Sequence, residues 1–205
     1  MLMTCSLLQA LPGSVSVFWK PSSLATIPAE VQLLRSSLAA TDLLVYCGYA
    51  ALPNGSFGVD PNASKKTWGS VSLCEPAVQA AATAGMRSHL VVEGRATMGF
   101  EAAVARGGTA FGADITRALR PVRFLPELCG LSFDFEHAPG THGRVNVTAQ
   151  ADADFLRGVS ASVPPGLRTG VSVDNWPFMS NFSLLLEGAG GNASSVLDMG
   201  LYHGD

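Results

Sequence analysis

The stretch "LCGLSFDFEHAPG", residues 128–140, alternates polar and apolar side chains. Ser132, Asp134 and Glu136 occupy every second position, and large apolar residues stand between them. Successive side chains of a β-strand point to opposite faces, so the pattern predicts a strand with one apolar face and one acidic face. The acids are either solvated or line a site, and the rest of the sequence bears on that choice.

Apolar, β-rich segments alternate with helical patterns along the whole chain. The predicted strands are 14–19, 42–50, 87–94, 129–137, 167–176 and 195–204. The predicted helices are 29–40, 75–85, segments within 100–120 that Gly107 and Gly108 interrupt, and 148–163. Such alternation is typical of parallel sheets. Six strands fit either an open doubly wound sheet or most of an eight-stranded barrel.

Two observations favour the barrel. No G-x-G-x-x-G, G-x-x-x-x-G-K-[ST] or G-x-S-x-G motif is present, which weakens the nucleotide-binding and nucleophile-elbow alternatives. Polar or aromatic residues also follow the predicted strands, where the carboxyl ends of barrel strands build an active site. These residues are Tyr49, Glu93, Glu136, Asp174, Trp176 and Tyr202. We therefore predict an α/β fold, an incomplete (β/α)8 TIM-barrel-like domain with about six βα units.

Composition excludes several classes of protein. The 205 residues are 47% hydrophobic and 14% charged, which is too apolar for a disordered chain and sufficient for one core. A net charge of −3 without a basic stripe argues against nucleic acid as a partner. No apolar run is long enough to span a membrane. We assign 14–205 to the barrel domain and 1–13 to an N-terminal segment, either a signal remnant or an internal starting point.

Asparagine and cysteine positions bear on the compartment. Five of the six asparagines lie in N-x-S/T sequons: Asn54, Asn62, Asn146, Asn181 and Asn192. This predicts a secreted or lysosomal protein, although Ser-rich turns also create sequons by chance. The four cysteines, Cys5, Cys47, Cys74 and Cys129, form no C-x-x-C motif, which excludes a zinc ribbon. Buried free thiols are the favoured interpretation, and the sequence does not rank disulfide pairings.

The segment C-G-L-S-F-D-F-E, residues 129–136, resembles the D-G-x-D-x-D-x-E signature of family 18 glycoside hydrolases, the chitinase and chitobiase group. Gly130, Asp134 and Glu136 match this signature, whereas Cys129 and Ser132 replace two of its acids. The segment "AAATAGMRSHLVVEG", residues 80–94, is similar to the helix, glycine and strand that precede it in lysosomal chitobiase relatives. The segment "VLDMGLYHG", residues 196–204, resembles the strand that carries an active-site tyrosine, here Tyr202.

The resemblance implies hydrolysis of β-1,4-linked N-acetylglucosamine units, in chitin oligomers or the chitobiose core of N-glycans. Family members use substrate assistance, in which the N-acetyl oxygen of the sugar attacks its anomeric carbon. Glu136 would be the general acid, Asp134 would bind the acetamido N–H, and Tyr202 would donate to the acetamido carbonyl. No metal or cofactor is implied.

Four further residues are predicted to bind substrate. Trp176 is either a platform for a sugar ring or a core aromatic, and Asp174 either binds sugar hydroxyls or shapes a turn. Tyr49 and Glu93 close the second and third predicted strands, where Glu93 could instead pair with a nearby arginine. The partner predicted for the whole set is an oligosaccharide that contains N-acetylglucosamine, and the sequence gives no oligomeric state.

The departures from the family pattern leave two other functions open. Ser132 can form a hydrogen bond with Asp134 but cannot ionise, so we expect an altered pH dependence before a loss of chemistry. The resemblance also implies a fragment or an incomplete gene model, because the family's seventh and eighth strands and the tryptophan on the eighth have no counterpart. A catalytically silent carbohydrate-binding protein is the first alternative, and a structural βα fragment is the second.

Overall fold

The computed structural model describes residues 15–62, 69–94, 99–134 and 149–172. The strands are β1 Ser16–Trp19, β2 Asp42–Val45, β3 Tyr49–Ala51, β4 Phe57–Val59, β5 Arg87–Glu93, β6 Leu128–Asp134 and β7 Arg168–Ser172. The helices are α1 Ile27–Leu38, α2 Cys74–Thr83, α3 Gly99–Arg106, α4 Gly108–Leu119 and α5 Ala149–Ser160. The first five strands of the sequence prediction correspond to β1, β2 with β3, β5, β6 and β7, and the sixth, 195–204, lies outside the described residues.

The main strands form a parallel sheet in the order β1-β2-β5-β6-β7. Main strands that follow one another along the chain are neighbours in the sheet. A doubly wound sheet reverses this order at a switch point, and the described strands contain no such reversal. The order is therefore that of an arc of a (β/α)8 barrel, as predicted.

The two faces of the sheet are packed differently. One face forms a large apolar cluster with all five helices, to which Leu43, Leu90 and Phe133 contribute from three neighbouring strands. The other face carries a small cluster of four residues: Phe18, Leu44, Tyr46 and Val91. Because the five helices of the described residues pack on one face, the face with the small cluster is the barrel interior.

The alternation within β6 follows the prediction. Leu131 and Phe133 are fully buried in the helix-side cluster. Ser132 and Asp134 point to the opposite face because successive side chains alternate across a strand. Both polar residues are nevertheless buried, so Asp134 is not a solvated acid on an open strand.

The predicted strand 42–50 is divided into two. β2 ends at Val45, and β3 begins at Tyr49 after Gly48, whose φ of 84° is left-handed. A glycine adopts this conformation without strain, and it interrupts the extended backbone. β3 continues alongside β5 through the pair Ala50 and Glu93, and it forms an antiparallel hairpin with β4. Residues 52–56 form the connection of this hairpin.

The prediction of free thiols was wrong for the described cysteines. Cys47 and Cys74 form a disulfide, with their Cα atoms 5.5 Å apart, and Cys129 is also disulfide-bonded. Cys47 lies in the interruption between β2 and β3, and Cys74 is the first residue of α2. The fold brings together two residues that are 27 positions apart, a proximity that their spacing alone does not reveal.

Candidate active site at the carboxyl ends of the strands

Two buried acids end neighbouring parallel strands. Glu93 is the last residue of β5 and pairs in register with Asp134, the last residue of β6. Glu93 is 4% exposed and Asp134 is 2% exposed. Glu93 lies on the interior face because it is two positions after Val91, which belongs to the interior cluster. The structure therefore places these two predicted site residues side by side at the carboxyl end of the sheet.

A tyrosine from a third strand contacts Asp134. The Tyr46 hydroxyl donates a hydrogen bond to Asp134 Oδ2, with an oxygen–oxygen distance of 2.5 Å. Tyr46 directly follows β2, and its ring packs against Phe18 with the ring centroids 5.5 Å apart. An alternating sequence pattern does not distinguish this residue from a core tyrosine. The contact with Asp134, 88 positions away, is what assigns it to the site.

The backbone of Tyr46 is fixed on several sides. Its N–H donates to the Trp19 carbonyl on β1 at 2.9 Å. Its carbonyl lies so close to Gly69 that a Cβ at that position would clash with it. The next residue, Cys47, is held by the disulfide to Cys74. These constraints position the tyrosine hydroxyl before any ligand binds.

Ser132 lies below Asp134 on the same face of β6. It is fully buried and pairs in register with Val91 on one side and Gly170 on the other. The family signature has an acid at this position. The in-register neighbours of Ser132 are the apolar Val91 and Gly170, which has no side chain. A second acid beside Asp134 is instead supplied by Glu93, from the neighbouring strand.

Tyr49 is placed in the apolar core, not at the predicted rim. It is 5% exposed, and its ring stacks on Phe57 with the centroids 5.4 Å apart. Burial raises the pKa of its hydroxyl. Tyr49 belongs to the helix-side cluster, so its environment favours a packing role over a contact with sugar.

The other predicted site residues, Glu136, Asp174, Trp176 and Tyr202, lie outside the described residues. Within the described ranges, no three histidine, cysteine or acidic side chains are grouped to bind a metal ion. None of the described helices is both long enough and apolar enough to cross a membrane.

A second buried charged cluster lies at the opposite, amino-terminal end of the sheet. Asp42 is 1% exposed and accepts hydrogen bonds from Arg87 at 2.6 Å and Thr41 at 2.8 Å. His89 Nε2 lies 3.3 Å from the other oxygen of Asp42. Burial alone would raise the pKa of Asp42, but hydrogen bonds from His89, Arg87 and Thr41 outweigh it and lower that pKa below its usual value.

Several solved structures share this fold. No family model and no curated protein sequence matches the chain. The spore cortex-lytic enzyme SleL of Bacillus cereus matches at a TM-score of 0.56 and 16% identity, over 91% of this chain and 41% of SleL. Catalytic domain 2 of the Ostrinia furnacalis Group II chitinase matches at a TM-score of 0.57 and 10% identity, over 87% of this chain and 48% of that domain. A Chromobacterium violaceum chitinase matches at a TM-score of 0.53 and 12% identity, over 89% of this chain and 54% of that chitinase.

The likeness establishes the fold. The chain has the chitinase-type barrel architecture that the resemblance to family 18 implies. It spans about half the length of these structures, 41% to 54% of each. Its activity therefore has to be argued from its own residues.

Proposed function

We propose that this protein is a glycoside hydrolase that cleaves β-1,4-linked N-acetylglucosamine units by substrate assistance. The observation that carries the proposal is the buried Asp134, which Tyr46 hydrogen-bonds and Glu93 faces in register at the carboxyl end of the sheet. That end is where barrel enzymes bind substrate. Chitinase structures with the same fold, one of them in complex with an N-acetylglucosamine oligomer, support the substrate class.

Each step of the reaction has an assigned group. The acetamido oxygen of the sugar attacks the anomeric carbon while the bond to the leaving oxygen breaks, and Glu136 gives that oxygen its proton. Asp134 accepts a hydrogen bond from the acetamido N–H and stabilises the positive oxazolinium ion. The hydroxyl of Tyr46 favours the charged form of Asp134 because it donates to a carboxylate oxygen. Tyr202 would orient the acetamido carbonyl, and water then opens the ring of the intermediate.

Glu93 replaces the acid that the family signature has at the position of Ser132. Two adjacent buried carboxyl groups resist simultaneous ionisation, so the pair with Asp134 is able to hold one shared proton. The pH–rate profile tests this role. Glu93→Gln should change the profile, and Ser132→Asp in the same chain should restore it in part. A profile that neither substitution moves would contradict the role.

A silent carbohydrate-binding protein is the second candidate. It is favoured by the replacement of two signature acids, one by the buried Ser132 and the other by Cys129, which is disulfide-bonded. Such a protein would retain the oligosaccharide site without turnover. Trp176 and Asp174 stay proposed substrate contacts under either function.

We also propose that the protein is secreted or lysosomal. The disulfide between Cys47 and Cys74 supports this location, because disulfides persist in oxidising compartments and are rare in the cytosol. The sequon residues Asn54 and Asn62 are exposed, as acceptors of N-linked glycans are. Fractionation of the cells that produce the protein tests the location independently of its activity.

The decisive experiment measures release of a chromophore from an N-acetylchitobioside by the 205-residue chain. Glu136→Gln should lower turnover by about 10²- to 10⁴-fold, the usual contribution of a general acid, and leave oligosaccharide binding intact by calorimetry. Glu127→Gln, the same substitution at an exposed acid, is the matched control. Binding without turnover in the unsubstituted chain would establish the silent candidate instead. Neither binding nor turnover would overturn both.

A further inference from the structure

The sequon at Asn54 forms the tip of the β3–β4 hairpin. Leu52 and Ser56 pair across the tip, where the Leu52 N–H donates to the Ser56 carbonyl at 2.8 Å. The residues between them are Pro53, Asn54 and Gly55, and Gly55 has a left-handed φ of 75°. This is a common three-residue hairpin loop, in which glycine takes the left-handed position. The sequon N-G-S therefore has a defined conformation.

The middle residue of the sequon anchors the tip to α3. A Cβ at Gly55 would lie 2.5 Å from the backbone of Ala102, so only glycine fits this approach. The Gly55 carbonyl also accepts a hydrogen bond from Arg106 Nη1 at 2.6 Å. Asn54 is exposed, whereas Gly55 is buried. The loop thus faces the helix with its glycine and presents Asn54 to solvent.

The side chain of Asn54 is held by its own sequon serine. Asn54 Oδ1 accepts hydrogen bonds from the backbone N–H of Ser56 at 3.0 Å and from the Ser56 hydroxyl at 2.7 Å. These contacts occupy the oxygen of the carboxamide, and Asn54 as a whole is exposed to solvent. The hydroxyl that defines the sequon is therefore already in contact with the group to be modified.

We propose that Asn54 is an acceptor of an N-linked glycan. The carboxamide Nδ2 forms a bond to C1 of an oligosaccharide carried on a polyisoprenyl diphosphate and loses one proton. The bond from C1 to the diphosphate breaks, and the carrier leaves with the electron pair. The glycan projects from the hairpin tip beside α3, on the helix side of the sheet, and does not enter the interior that contains Asp134. The inference rests on the proposed passage through the secretory pathway.

Mass spectrometry of the 205-residue chain, directed to the endoplasmic reticulum by an added signal sequence, tests the proposal. Release of N-glycans by a glycoamidase in ¹⁸O-water should leave labelled aspartate at position 54 in excess of the label that spontaneous deamidation of Asn54-Gly55 produces without the enzyme. Asn54→Gln and Ser56→Ala should each abolish that label, whereas Ser56→Thr, which keeps the hydroxyl, should retain it.

An unlabelled Asn54 in chains that have formed the Cys47–Cys74 disulfide would overturn the inference, because that bond shows that the chain folded in the oxidising lumen. The added signal sequence keeps this result separate from the natural location of the protein. Chromophore release by the same preparation reports separately on the proposed hydrolase. The two measurements are independent, so the failure of one proposal does not imply the failure of the other.

Discussion

Two ends of the same sheet bury charged groups, and the two arrangements are opposite in kind. At the amino-terminal end, Asp42 lies against two basic residues, Arg87 and His89. At the carboxyl end, Asp134 lies beside a second acid, Glu93, and accepts a hydrogen bond from the neutral Tyr46. The first arrangement pairs a buried acid with basic side chains, and the second brings two buried acids into register on neighbouring strands.

Under the proposed function, the carboxyl end carries the chemistry and the amino-terminal end serves stability. Removing one partner of a buried ion pair is strongly destabilising, because the other charge is left buried without compensation. Adjacent buried acids are unfavourable for folding, and such pairs are typical of sites where a proton is moved. This division matches barrel enzymes, whose carboxyl ends hold the site and whose amino ends serve stability. Matched substitutions at the two ends can test it.

The largest effect is expected from Asp134→Asn. The substitution keeps the shape of the side chain and removes the negative charge that stabilises the oxazolinium ion. We expect kcat/KM for the chitobioside to fall by about 10²- to 10³-fold, as for the loss of one electrostatic stabiliser. Thermal unfolding should show a native state as stable as the parent, or slightly more stable. A strong loss of stability with normal turnover would place Asp134 in the same class as Asp42.

The matched substitution Asp42→Asn should have the opposite profile. It leaves Arg87 and His89 without their carboxylate, so we expect the free energy of unfolding at neutral pH to fall by about 3 kcal/mol, as for a broken buried ion pair. Turnover per folded molecule should stay unchanged. Urea unfolding and active-site-normalised kinetics measure the two quantities.

The same variant should be less sensitive to acid than the parent. The folded pKa of Asp42 is lowered, so its stabilising contribution is fully present above the unfolded value of about 3.9 and is lost as the pH falls through the folded value. Asparagine has no such dependence. The difference in unfolding free energy between parent and Asp42→Asn should therefore shrink as the pH falls below about 4. A constant difference would show that the carboxylate charge is not what stabilises this end.

The smallest effect is expected from Tyr46→Phe. The loss of one hydrogen bond to a carboxylate should lower kcat/KM by about 10-fold and make the acidic limb of the pH–rate profile appear at higher pH. Tyr49→Phe is the control, because Tyr49 loses the same hydroxyl from the apolar core. Equal pH profiles for the two variants would show that Tyr46 only packs in the interior.

A large part of the fold could be predicted from the sequence. The order of strands and helices, the break between α3 and α4 at Gly107, and the alternation of Phe133 with Asp134 all follow from local patterns. Local patterns also placed Glu93 at a strand end, where the structure has it, whereas they placed Asp134 inside a strand that continued to 137. The division of 42–50 into two strands was missed, because it depends on the left-handed φ of one glycine, Gly48.

The sequence by itself determined which side chains share a face of a strand, because the period of two is a property of the extended backbone. Only the tertiary structure decided which faces meet. The contact of Tyr46 with Asp134 and the disulfide of Cys47 with Cys74 depend on strand register and on a turn between β2 and β3. Register is fixed by packing across the whole sheet, so residues 88 positions apart become partners without any local signal.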